Sequence, residues 1–121
     1  MPESAGLIHA TELGESAARV RITTHKLHEY ESQRLSSEVD AYLENSGTAS
    51  VLLDLEEVEF ISSAGLGVLI TIGKKVDAKG GRYALTNVSD EVLKVLKLTR
   101  LDRHLKIMKD DAKGVKFVTK G

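Results

Sequence analysis

The sequence predicts an α/β domain: a mixed sheet with an opening β-hairpin and helices packed mainly on one face. Three observations lead there. Residues 6–13 and 18–24 flank a Gly14-Glu15-Ser16 turn, and the second run alternates apolar with polar residues as a half-buried strand does. The run Val51-Leu52-Leu53-Asp54-Leu55 is short and almost continuously apolar, the pattern of a strand buried on both faces at the centre of a sheet. Beyond it, short apolar runs alternate with segments of helical period, which places crossover helices over the sheet.

The elements follow in order after the hairpin. In residues 29–44 the apolar positions Leu35, Val39, Tyr42 and Leu43 share one helical face against polar Arg34, Glu38 and Asp40. Asn45-Ser46-Gly47 ends this helix, with Gly47 suited to a left-handed cap. After the apolar strand, Ser63 is placed as the N-cap of a helix running to about Ala78. That helix opens almost wholly apolar, with Leu66, Val68, Leu69, Ile70 and Ile72 ahead of Lys74-Lys75, so its first turns are expected to be buried or at an interface.

Lys79-Gly80-Gly81 reads as a turn and residues 82–86 as a strand. Ser89-Asp90-Glu91 supplies a cap and first-turn acids for a helix through Leu98, with Val92, Val95 and Leu96 inward. Leu101, Leu105 and Ile107 lead into a last short strand. Residues 109–121 are charged and weakly periodic, and are expected to form a loosely held tail on a core of about residues 7–108. Residues 1–121 read as a single domain, with no internal repeat or linker.

Composition narrows the function classes. A chain of 121 residues with 41% hydrophobic content suffices for one core. Its charged residues, 29% of the total, cancel to a net charge of -1, so the basic excess that favours nucleic acid or anionic membranes is missing and proteins are the expected partners. The absence of cysteine removes disulfides, thiolate metal sites and cysteine nucleophiles. The acidic start Met1-Pro2-Glu3-Ser4-Ala5 lacks signal-peptide features, and no apolar run approaches a membrane span. The expectation is a cytoplasmic protein with no direct membrane insertion. With two Phe, three Tyr and no Trp, base-stacking platforms lack material.

Few residues could carry chemistry. Asp54, at the carboxyl end of an apolar strand, resembles a receiver-domain phosphoacceptor, but the acidic pair and the lysine of such a site are missing. It reads instead as a strand-end residue bonding to the following loop. His25 and His28, with Glu29 and Glu31, form a metal pair without a third ligand cluster, so surface histidines are expected and no metal. Gly65-x-Gly67 lacks the third glycine and the acidic partner of a dinucleotide loop; its glycines would keep the first helical turn bare for close approach. No histidine or aspartate is placed by sequence to activate Ser62 or Ser63, so neither catalysis nor a cofactor is expected.

The run Val51-Leu52-Leu53-Asp54-Leu55-x-x-Val58-x-Phe60-Ile61-Ser62-Ser63-Ala64-Gly65-Leu66-Gly67-Val68-Leu69 resembles the signature of anti-sigma factor antagonists, the stand-alone STAS domains of bacteria. The likeness extends over roughly Leu7 to Met108. It implies a single STAS-like domain without enzymatic activity, which binds an anti-sigma factor that is also a serine kinase. Phosphorylation would release that partner and a metal-dependent serine phosphatase would restore binding. By this resemblance the phosphorylated hydroxyl is Ser63, or less favourably Ser62, and the partner-binding segment is Phe60, Ile61, Ser62, Ser63, Ala64, Gly65, Leu66 and Gly67, joined by His28. Ser62 replaces the family's usual aspartate, Ala64 a frequent second hydroxyl, and His25-Lys26-Leu27-His28 a common Gly-x-Leu-Asp. The alternative is a constitutive interaction subunit of a membrane transporter or signalling scaffold, in which Ser63 is only a helix cap.

Overall fold

The computed structural model describes residues 6–120, so the acidic start over residues 1–5 lies outside the described residues. Strands β1 (Ile8–Glu12) and β2 (Ala17–Ile22) form the antiparallel hairpin, with Ile8 opposite Ile22 and Glu12 opposite Ala18. Strand β3 (Lys26–Leu27) leads into helix α1 (Glu29–Ser46), which Gly47 ends in the left-handed conformation at φ 74°. Then come β4 (Ser50–Asp54), β5 (Phe60–Ile61), α2 (Ser63–Ala78), β6 (Tyr83–Thr86), α3 (Asp90–Leu98), a 3-10 turn over Leu101–Arg103, β7 (Ile107–Met108) and α4 (Asp111–Thr119). The main sheet has the order β1-β2-β4-β6-β7, antiparallel only between β1 and β2.

All five residues of β4 are buried, as its continuous apolar run predicts. Alternation along the strand separates two cores. Val51 and Leu53, with Leu55 beyond the strand, pack with Val20 and Leu85 under α1, α2 and α3, which contribute Leu35, Val39, Leu69, Ile72, Val92 and Leu96. Each such aliphatic side chain contributes about 1.5–3 kcal/mol by burial. Lys75 of α2 reaches Asp40 of α1 at 2.6 Å across the helix pair. Leu52 points the other way and packs with Ala17, Ala84 and Val118.

Val118 belongs to α4, and here the expectation of a loosely held tail fails. Residues 111–119 are helical and cover the second face of the sheet. The Asp110 side chain caps this helix by accepting from the Ala112 and Lys113 amides at 2.9 and 3.4 Å. A helix this short is marginal in water and depends on docking. Buried Gly114 supplies part of it, since a Cβ there would stand 2.9 Å from Leu52 Cδ1 and 3.4 Å from Met108 Cγ. Gly114 and Val118 are one helical turn apart, but a glycine carries no apolar signal, which is why the periodicity is weak.

Asp111 fixes the start of α4. Its carboxylate accepts from Arg19 Nη1 and Nη2 at 2.9 and 2.6 Å, and from Thr86 Oγ1 at 2.9 Å. The Arg19 hydrogen bonds, helped by Thr86, hold the Asp111 carboxyl below its usual range against the opposing effect of burial. A depressed carboxylate contributes stability that is fully present above its unfolded value of about 3.9 and is lost as pH falls through the folded value. Acid is therefore expected to release α4 below about pH 4, seen as faster amide hydrogen exchange in residues 112–119. Asp111→Asn should abolish that acid step and cost on the order of 1 kcal/mol at neutral pH, a figure discounted for the solvent exposure of the pair. An acid step unchanged in Asp111→Asn would assign it to another group.

Candidate functional site

The junction between β5 and α2 is built by a pairing too short to show as a periodicity. Strands β3 and β5 form a separate two-stranded parallel sheet, with Lys26 opposite Phe60 and Leu27 opposite Ile61. The Glu59 and Phe60 amides donate to the His25 carbonyl at 2.7 and 3.1 Å, and the Ser62 amide donates to the Leu27 carbonyl at 2.9 Å. These bonds keep the backbone extended through Ser62, at φ -86° and ψ 175°. Helical geometry begins one residue later.

This register decides between the two serines. Ser62, not Ser63, is the N-cap of α2, and its Oγ accepts from the Gly65 amide at 3.2 Å. The placement of Ser63 as cap is thereby corrected: strand pairing carries the extended backbone one residue further than the local pattern indicates. Ser63 is the first helical residue, its side chain exposed and its hydroxyl without a hydrogen-bond partner among the described residues.

The segment 60–67 divides by helical and strand period. Phe60 is 45% exposed, and Ser63 and Gly67 are exposed with it, while Ser62 and Ala64 are half-buried. Ile61, Gly65 and Leu66 are buried, so the side chains this segment exposes are those of the other positions. Ile61 points opposite to Phe60 along the strand, and Leu66 joins the main core. His28, far away in sequence, does reach the segment: as the residue preceding α1 it sets its ring 4.9 Å from that of Phe60, tilted by 38°. The His28 amide donates to Glu31 Oε1 at 3.1 Å, which anchors this corner to the helix. Tyr30, in the first turn of α1, is 66% exposed and belongs to no motif. Its signal was an aromatic in a chain that has so few.

The two glycines have different reasons to be there. A Cβ at Gly65 would meet Ile61 Cγ1 at 2.6 Å and Leu27 Cβ at 3.1 Å, so α2 approaches β3 through this residue. Gly67 has nothing within 4 Å of such a Cβ. An exposed glycine inside a helix costs about 0.8–1.0 kcal/mol relative to alanine, and no contact within the chain accounts for it. Gly67→Ala should therefore raise the melting temperature by a few degrees, whereas Gly65→Ala should lower it through overpacking. Equal behaviour of the two variants in a thermal melt would contradict this distinction.

The segment's own charges are acidic and its cations come from other strands: Arg21 of β2 pairs with Glu56 at 3.1 Å and Glu57 at 3.9 Å, and Lys26 of β3 stands opposite Phe60. No lysine or arginine occurs between Leu55 and Gly73, while Glu56, Glu57 and Glu59 precede the junction. His25 Nδ1 lies 3.1 Å from the Glu57 carbonyl and 3.7 Å from the Glu59 carboxylate. Among the described residues no group of three His, Cys, Asp or Glu is arranged to hold a metal ion, which includes His25 and His28. Asp54 is fully buried and organises the loop before the site. Its Oδ1 accepts from the Glu56 amide at 3.0 Å and from Asn87 Nδ2 at 3.1 Å, its Oδ2 from Arg19 Nη1 at 2.9 Å and Arg21 Nη2 at 3.4 Å. The bond to the following loop is the one its position implied. Asn87 takes the left-handed conformation, φ 56°, that asparagine tolerates better than most residues.

Comparison with known proteins places these features in a family context. A family model described as STAS domain matches residues 18–113. A protein of Thermotoga neapolitana, named a homologue of a candidate anti-sigma factor antagonist, is 44% identical over 63 residues, 52% of this chain and 56% of the relative. The match thus spans little more than half the length of that curated relative. The crystal structure of a candidate anti-sigma factor antagonist from Thermotoga maritima superposes with a TM-score of 0.76 at 28% identity, covering 93% of each chain. An anti-sigma factor antagonist from Mycobacterium paratuberculosis reaches a TM-score of 0.79 over 93% of each chain, at 17% identity, a likeness of fold alone.

Proposed function

The chain belongs to the STAS domain family, and from that premise we propose that it acts as an anti-sigma factor antagonist by partner switching. In this reading the surface of Phe60, His28, Ser63 and Gly67 binds an anti-sigma factor with serine kinase activity, and phosphorylation of Ser63 ends the complex. A metal-dependent serine phosphatase resets it. The observation that carries the reading is the division of labour between the serines. Ser62 caps α2, and the Ser63 hydroxyl is left exposed and unbonded at the helix start.

The surroundings support reversibility. A phosphate adds about -1.5 to -2 charges and three acceptor oxygens, which a helix N-terminus tolerates through its free amides and dipole. The exposed, side-chain-free Gly67 one turn further on allows a partner backbone to approach closely. The test is phosphate mapping: incubation with the cognate anti-sigma kinase and ATP should add one phosphate at Ser63, and Ser63→Ala should accept none. Phosphate found at Ser62, or undiminished in Ser63→Ala, would sink the assignment.

A further inference from the structure

A cavity of about 680 Å³ opens toward the C-terminal end of α2, against β6 and the segment before β7. Its volume falls in the range of about 300–1,000 Å³ typical of small-molecule sites. Three cations line it, Lys74, Arg82 and Lys106, and Asp77 is the one acidic residue in the lining. None of the three forms an ion pair among the described residues. Instead, the Arg82 guanidinium and the Lys106 ammonium both stand over the ring of Phe117, at 5.4 and 5.0 Å from its centre.

Two like charges gathered on one ring repel each other, and the ring's quadrupole offsets only part of that. The chain holds 18 acidic residues against 17 basic ones, so this concentration does not reflect an overall basic excess. A bound anion would relieve that repulsion. The cavity floor is also fixed in advance. The Tyr83 hydroxyl donates to the Leu69 carbonyl at 2.8 Å, and its ring lies under Gly73, where a Cβ would stand 2.9 Å from Cδ2. A second cavity of about 280 Å³ shares Lys106 and Phe117 and adds Lys113, Lys116 and Lys120, extending the positive field.

We infer that this cavity binds a small organic anion, with a phosphate or carboxylate head held by Arg82 and Lys106 and a flat or aliphatic body against Phe117 and Tyr83. The site is separate from Ser63, so it stands or falls independently of the switch proposed above.

Phenyl phosphate titrated into the labelled protein, followed by backbone amide NMR, tests it. Saturable shifts are expected at Gly73, Tyr83, Lys106 and Phe117. Benzyl alcohol, which lacks the charge, and inorganic phosphate, which lacks the body, should each bind at least about tenfold more weakly. Arg82 and Lys106 are exposed, so Arg82→Gln and Lys106→Gln should each weaken binding severalfold while lowering the thermal melt by no more than the few degrees that loss of one exposed contact with Phe117 entails, and the double charge reversal Arg82→Glu with Lys106→Glu should abolish binding. The inference is overturned if no shift saturates, if inorganic phosphate binds as tightly as phenyl phosphate, if the Gln variants bind like wild type, or if the saturating shifts lie at residues 62–66.

Discussion

Asp54→Ala is expected to cost about 3–5 kcal/mol, the range for breaking a buried charge cluster by removing one partner. The carboxylate is fully buried and accepts from two arginines, an asparagine side chain and the Glu56 amide. Alanine would leave Arg19 with Asp111 alone and free the amide that starts the loop toward Phe60. Asp54→Asn keeps the shape but replaces an acceptor-only group by one that donates, facing two guanidinium groups. It should cost roughly 1–3 kcal/mol, the penalty of a buried group left poorly bonded. Urea denaturation of both variants would measure this, with hydrogen exchange at residues 55–59 and 112–119 showing whether loop and α4 loosen together. Stability unchanged in Asp54→Ala would mean that the cluster contributes no net free energy.

The second large effect is on binding. Ser63→Asp should weaken association with the proposed anti-sigma partner by about 100-fold, or some 2.8 kcal/mol at 1.4 kcal/mol per tenfold. The neighbouring segment itself carries three glutamates and no cation, and Arg21 beside it is already paired with Glu56 and Glu57, so burying the carboxylate against a partner is costly unless the partner supplies a cation. The fold should not register the change, because a negative charge in the first turn of a helix is stabilising by about 0.3–1 kcal/mol. Calorimetric binding and a thermal melt on the same samples separate the two effects. Loss of binding accompanied by a lowered melting temperature would point to a structural role for Ser63, and wild-type affinity in Ser63→Asp would contradict the electrostatic switch.

Asp54 stands in the middle of a longer chain of contacts. Asp111 holds Arg19, Arg19 holds Asp54, and Asp54 holds the Glu56 amide ahead of the β5–α2 junction. This is why Asp54, read from its position as a local loop contact, also ties the start of α4 to the loop before the site.

Local pattern was enough for the parts of this protein whose burial has a regular period. The alternation in β2, the unbroken apolar run of β4, the shared face of Leu35, Val39 and Leu43, and the left-handed Gly47 are all consequences of near neighbours in sequence. So is the location of Ser62 and Ser63 where a strand ends and a helix begins. Tertiary structure alone decided which serine caps the helix, because the backbone stays extended for as long as residues 59–62 bond to His25 and Leu27 across a two-residue strand pair. It also decided α4, docked through a glycine and a carboxylate that carry no apolar signal, and it brought Arg82, Lys106 and Phe117 to one cavity. Periodicity reports which side of an element is covered; hydrogen bonds and charges between distant segments determine what covers it.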